Sequence, residues 1–281
     1  MGDTLTIREQ TKMKPFLAIP ALGGLRLFGR ASREEQAVNE LIPKLADAKV
    51  ENRNEAQMAL QDIASNASKP GHSAAREALG KILAAKAADR SVPQPARAWI
   101  VRQLEYMGGP EAVKALAKVM NGKDAELREC ARRALEKNPA PAATASLRAA
   151  LGHASDPTWK IGLMNSLGRR ADAESVKLIA KGLGDAKTAP AAALALGNIA
   201  SPAAVEVLSG SLNKTPEAGE ALINAAQRLA AKGDAAGAKA IYQKVAGEAK
   251  SKSLRAAAES GLNPPGASPK AKGKKKAKKK R

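Results

Sequence analysis

"DAELRECARRAL", Asp124 to Leu135, holds the pattern on which the fold turns. An aspartate suited to cap a helix is followed four residues later by an arginine, then by a small residue, then by a closing leucine. The leucine has equivalents along the chain at Leu60, Leu104, Leu167, Leu196, Leu229 and Leu262, and from Leu104 onward the steps are 31, 32, 29, 33 and 33 residues. A second column precedes it, Leu116, Leu147, Ile179, Leu208 and Ile241, with matching steps. A third lies four residues further on, at Met120, Leu151, Leu183, Leu212 and Val245. Residues four apart share one face of a helix, so each of these stretches presents an apolar stripe. Two helices in each period of about 32 residues is the pattern of a helical-repeat array.

Breakers stand where hairpins need them. Asn121–Asp124, Gly152–Pro157, Gly184–Pro190 and Asn213–Glu217 are placed to join the helices of one pair, and Met107–Glu111 and Asn138–Ala142 to join successive pairs. Glycine after a helix and proline at the start of the next supply the stop and start chemistry. No stretch sustains the two-residue alternation of a strand. The expectation is an all-α, right-handed α-solenoid of about seven antiparallel pairs over residues 35–263, with an N-terminal extension (1–34) partly disordered or packed on the first repeat. Between Leu60 and Leu104 the step is 44 residues, which predicts a longer, looser connection around Ala85–Pro95.

Eleven residues before the closing leucines stand Asp124, Asp156, Asp185 and Ser251, all suited to cap the second helix. Seven before stand Arg53, Arg97, Arg128, Lys160 and Arg255, with Ala189 and Leu222 interrupting the series. Four before, the column is mostly alanine, which suits close helix contact. "DAELRECARRALEKN" and "DPTWKIGLMNSLG" resemble the second helices of HEAT repeats, in particular the short phycobilisome-lyase-type HEAT-like repeats. That pattern runs from Asp through Arg and alanine-rich turns to Leu-Gly. The resemblance covers Glu35 to Asn263 and implies a solenoid fold; for activity it implies little beyond a lyase-type enzyme module as one possibility. Departures are Lys160, Ala189 and Leu222 at the arginine position, and a following glycine only after Leu167 and Leu196. They predict fewer polar links between the last repeats.

Composition narrows the chemistry. Hydrophobic residues are 44% of the 281 but aromatics only 2%, so alanine carries much of the interior. The net charge is +20, and nine positive charges fall within Pro265–Arg281, where there is no acid. The remainder still has 38 basic against 27 acidic residues. Such an excess favours polyanionic partners. The final segment, 264–281, carries Lys270, Lys272, Lys274, Lys275, Lys276, Lys278, Lys279, Lys280 and Arg281. It is read as a disordered polybasic tail that attaches nonspecifically to DNA or RNA through phosphate charge. Anionic lipid would satisfy the same tail.

The basic column has two readings. As a structural ladder, Arg53, Arg97, Arg128, Lys160 and Arg255 bond neighbouring caps or helix-end carbonyls; as a groove, they track a polyanion. The ladder is preferred, because acidic caps recur in step with the column. Trp159 and Trp99 are expected in the core, not as base-stacking platforms. Cys130, the single cysteine, is read as a small buried hydrophobe and excludes an internal disulfide. His72 and His153 have no metal-ligand partner at usable spacing, and no phosphate loop, nucleophile elbow or HExxH is present. No catalytic residue, cofactor or metal is therefore expected.

No apolar run reaches the roughly 18 residues of a membrane span. Phe16–Phe28 resembles a signal core if translation starts at Met13, but Arg26 interrupts it, so folding onto the first repeat is preferred to secretion. "MGDTLT" at the start also fits the loose myristoylation pattern. The expected function is a monomeric, non-catalytic scaffold or adaptor for protein–protein interaction, in the cytoplasm and in reach of the nucleoid. The rivals are a nucleic-acid-binding protein that uses solenoid and tail together, and the lyase-type enzyme module.

Overall fold

The computed structural model describes residues 27–263. The tail lysines and arginine, the Met13 start and the segment up to Arg26 lie outside the described residues. Fourteen α-helices form seven successive antiparallel pairs, with no strand among the described residues. The pairs are α1 (Leu27–Leu45) with α2 (Val50–Ala67), α3 (Ser73–Ala88) with α4 (Gln94–Met107), and α5 (Val113–Met120) with α6 (Ala125–Lys137). Then come α7 (Pro141–His153) with α8 (Pro157–Arg169), and α9 (Val176–Ala180) with α10 (Ala189–Ile199). α11 (Pro202–Ser211) with α12 (Ala218–Ala231) and α13 (Ala235–Glu248) with α14 (Lys252–Leu262) complete the array. α1 begins at Leu27, ahead of the expected start of the array at Glu35.

The pairs stack so that second helices pack in one row, α2 on α4, α4 on α6, and so on to α14. First helices α1, α3, α5 and α7 form the opposing row, with α9 and α11 continuing it. The core lies between the rows. Leu60, Leu104, Leu135, Leu167 and Leu196 are fully buried there with Leu116, Leu147, Ile179 and Leu208 of the first helices. Leu229 and Leu262 are only half-buried, Leu262 because no described pair stacks beyond it. Burial of one apolar face against another is what stabilises each helix, since isolated helices of 10 to 14 residues are marginal in water. Alanines at 96, 131, 192, 225 and 258 are buried where second helices meet, which allows close approach.

Three of the expected caps close their helices. Asp124 accepts from Leu127 N at 2.8 Å, Asp156 from Trp159 N at 2.7 Å, and Ser251 from Leu254 N at 3.4 Å. Asp185 does not cap α10, which starts four residues later at Ala189 with Thr188 before it. The Asp185 carboxylate turns to Lys187 N at 2.9 Å, and Thr188 Oγ1 donates to Gly182 O at 2.8 Å, so the turn closes on itself.

The connection expected to be loose around Ala85–Pro95 is instead short. α3 continues to Ala88 and α4 starts at Gln94. Between them the Asp89 carboxylate accepts from Ser91 N at 2.9 Å and Ser91 Oγ at 2.7 Å, and Val92 is buried. The extra length goes into helix: α2 has 18 residues and α3 has 16, against 13 in α6, α7 and α8. No helix among the described residues is long and apolar enough to cross a membrane.

Candidate interaction surface

The outward face of the second-helix row is set by register. Positions two before and two after each closing leucine are four apart and share the face turned from the core. They place Met58 on α2, Arg102 and Tyr106 on α4, Arg133 and Lys137 on α6, Asn165 and Arg169 on α8, and Leu194 and Asn198 on α10. All four large hydrophobic side chains exposed among the described residues are on second helices: Val50 (51%), Met58 (67%), Tyr106 (77%) and Leu194 (50%). Lys137 Nζ lies 4.7 Å from the Tyr106 ring centre.

Beneath the cations runs a set of sunken carboxylates. Glu105 on α4 has a side chain only 2% exposed and receives Arg133 at 3.0 Å and Lys137 at 2.7 Å, both from α6. Glu136 on α6, with its side chain 10% exposed, receives Arg132 at 3.0 Å, Ser166 Oγ at 2.8 Å and Arg169 at 2.8 Å. Arg132 also bonds Glu129, Ser166 Oγ and, at 3.3 Å, Gly162 O. Burial pushes the Glu105 carboxyl up, but the bonds from Lys137 and Arg133 outweigh it and hold the group below its ordinary value. Glu136 behaves likewise: burial raises it, and the bonds from Arg169 and Ser166 with the nearby guanidinium charges bring it below the ordinary value. For Arg132, burial opposes the charge and the two glutamates more than restore it. The carboxylates are thus covered while Arg133, Lys137 and Arg169 remain in water, so this part of the face presents positive charge.

The residue after the closing leucine decides how each second helix meets the next. Glu105 and Glu136 reach across to the following pair, from α4 to α6 and from α6 to α8. At the next two steps the position is glycine. A Cβ on Gly168 would lie 2.7 Å from Ala195 Cα, and one on Gly197 would lie 2.7 Å from Ala221 O. Here backbone contact replaces the ion pairs, and Asn198 adds bonds from Asn224 (3.0 Å) and Arg228 (3.1 Å). At the pair junction, Arg170 donates to the carbonyls of Leu135 (3.1 Å), Glu136 (2.8 Å) and Asn138 (2.6 Å), closing the end of α6.

The basic column foreseen from the sequence divides three ways. Arg53 donates to Asp47 O (2.6 Å) and Ala48 O (2.9 Å), Arg97 to Ala87 O (2.8 Å), and Arg255 to Ala249 O (2.7 Å) and Lys250 O (3.1 Å). Each reaches back to carbonyls at or just after the end of the first helix of its own pair. Arg128 instead lies over the Trp159 ring of the next pair, 4.4 Å from its centre. Lys160 has no side-chain hydrogen bond or ion pair among the described residues. None of the five bonds an aspartate cap.

Trp159 and Trp99 are half-buried against the core, and the Trp99 indole donates to Gln57 O at 3.3 Å. Cys130 is buried, which pushes its thiol up. His72 Nδ1 lies 3.0 Å from Asn66 O, and His153 is exposed at the end of α7. Among the described residues no cluster of His, Cys, Asp or Glu is placed to hold a metal ion.

Glu105, Arg132, Glu136, Ser166 and Arg169 were not singled out from the sequence. The one signal was the acidic residue after Leu104 and Leu135, where the repeat pattern has glycine.

Comparison with known proteins places the array. A family profile described as HEAT repeats matches residues 83–168, from within α3 to the end of α8. No curated protein gives a significant match. Among solved structures, the complex of CpcE and CpcF of phycocyanin lyase from Nostoc sp. PCC7120 is 22% identical, over 89% of this chain and 92% of that one, with a TM-score of 0.42. Human deoxyhypusine hydroxylase in complex with glycerol is 20% identical, over 83% and 97%, with a TM-score of 0.32. A designed armadillo repeat protein in complex with the peptide (KR)4 is 16% identical, over 80% and 98%, with a TM-score of 0.37. At these scores the likenesses bear on neither activity nor partners. The HEAT-repeat match falls on the second to fourth helical pairs, and helical pairs stack on both sides of them.

Proposed function

We propose that the protein is a scaffold or adaptor, acting as a monomer in the cytoplasm, that docks a protein partner on its second-helix face. One observation carries the reading: among the described residues, the large hydrophobic side chains left in water are all on that one row of helices, next to a cluster of surface cations. Exposed apolar groups scattered over a surface mean little, but their confinement to one face points to contact with another molecule. Interfaces are enriched in aromatic residues, methionine and arginine, the types placed here. The single, buried Cys130 suits a reducing compartment. Lys270–Arg281 would add nonspecific attachment to DNA or RNA, because lysine-dense segments bind phosphates by counterion release without reading bases.

The test is affinity capture from native cells with and without nuclease. The wild type is compared with a variant carrying Met58→Asp, Tyr106→Asp and Leu194→Asp. These side chains are exposed, so the variant should melt like the wild type. A defined protein held by the wild type after nuclease and lost from the variant is the expected outcome. Release of all captured protein by nuclease, or equal retention by the variant, would overturn the reading.

A further inference from the structure

Between the second and third pairs, at the ends of the helices, lies a recess of about 500 Å3. It is bounded by the turn after α3, the start of α4, the end of α5 and the turn into α6. Arg90, Arg97, Lys118 and Lys123 line it over a floor that includes the buried Val119 and Leu127. Most arginines of the second to fourth pairs have a carboxylate partner: Arg102, Arg132, Arg133, Arg148 and Arg169 all have a carboxylate within 4 Å. Arg90, Lys118 and Lys123 are exposed and have no ion pair among the described residues. Arg97 uses Nε on Ala87 O, and its charge remains beside the recess. The one acid in the lining, Asp124, gives an oxygen to Leu127 N as the cap of α6, and nearby Asp89 holds Ser91. A concavity ringed by unneutralised cations focuses positive potential.

We propose that this recess binds a short acidic peptide segment, with its carboxylates on Arg90, Lys118 and Lys123 and an apolar side chain against Val119 and Leu127. Charge complementarity selects the anion, and two features select peptide over nucleic acid. The lining contains no aromatic ring on which a base could stack. Toward the fourth pair the cations also break off: the turn between α7 and α8, residues 154–156, has no lysine or arginine. Nucleic acid is held by a line of phosphate contacts, whereas a peptide segment needs one recess. The site stands on its own geometry and holds whether or not the second-helix face docks a partner.

The test uses the full chain and a hexaglutamate peptide, joined to nearby lysines by zero-length carbodiimide coupling and mapped by mass spectrometry. Coupling is expected at Lys118 and Lys123 at peptide concentrations that leave the exposed Lys177 and Lys239 of α9 and α13 unmodified. Arg90→Glu replaces an attraction by a repulsion and should lower coupling at both lysines by about five- to tenfold, the size expected for one exposed charge contact reversed. Coupling at tail lysines is a separate signal that this substitution leaves unchanged. The site is refuted if Lys118 and Lys123 couple no more than Lys177 and Lys239, or if Arg90→Glu leaves them unchanged. It is also refuted if duplex DNA displaces the peptide from them more effectively than unlabelled peptide at equal charge.

Discussion

Replacing Glu136 by glutamine keeps the shape of the side chain and removes the charge on which α6 and α8 converge. The carboxylate accepts from Arg132, Ser166 and Arg169. Bonds to a charged group are each worth about 1.5–3 kcal/mol, so the gross loss is large. Three features of the structure reduce it. Arg132 keeps Glu129, the Ser166 hydroxyl can still donate to Gly162 O, and Arg169, at 68% exposed, regains water. What remains is a buried guanidinium facing an amide, a net loss of about 2 kcal/mol. For an array of this size that lowers the melting temperature by about 4–8 °C. The pH dependence carries a second signature. The Glu136 carboxyl is held below its ordinary value of 4.5, so its stabilisation is complete above that value and is lost as pH falls through the lowered one. The gap between wild type and Glu136→Gln should therefore be constant from about pH 7 to 5 and close below about 4.5. Glu105, held low by Lys137 and Arg133, titrates in both proteins and cancels from the difference. Circular dichroism melts across that range measure it. Melting of the variant within about 1 °C of wild type at neutral pH, or a gap that does not narrow in acid, would refute the reasoning.

Other outcomes follow from the same geometry. Arg97→Ala removes a bond to a helix-end carbonyl and should cost about 1 kcal/mol, whereas Arg128→Ala loses only a contact over Trp159, about 0.5–1 kcal/mol. Equal melting of Arg97→Ala and wild type in chemical denaturation would count against the carbonyl role. Gly168→Ala and Gly197→Ala place a Cβ 2.7 Å from neighbouring backbone and should destabilise by about 2 kcal/mol or more. Gly210→Ala in α11 meets nothing within 4 Å and should stabilise by about 0.5–1 kcal/mol, so thermal melts of the three separate close packing from helix propensity. Deleting Pro265–Arg281 should flatten the dependence of log K on log salt for random duplex DNA by roughly four units, if half of its nine charges engage phosphate. Anisotropy titrations showing an unchanged slope would remove the tail from polyanion binding.

The seven pairs are legible in the sequence because their determinants are local. A leucine every 32 residues or so, with apolar partners four apart, specifies which face of a helix is buried wherever the helix stands. A cap acts on an amide three residues away, so Asp124, Asp156 and Ser251 were legible too. Asp185 shows the limit: its side chain has the choice of a nearer amide, and the turn it sits in decides. The basic column had a visible register but not visible partners. Arg53, Arg97 and Arg255 find carbonyls where the first helix ends close to the second, while Arg128 meets a ring supplied by the next pair. The ion pairs under the surface lie further from any sequence signal. Glu105 and Arg133 are 28 residues apart, and Arg132 and Ser166 are 34 apart. Whether they touch depends on how far each pair is shifted and turned against the last, and the repeat period does not state that. The same stacking leaves Tyr106 and Leu194 in water and gathers Arg90, Lys118 and Lys123 around one recess. Periodicity decides which residues face the core; the relative placement of neighbouring pairs decides which surface groups meet.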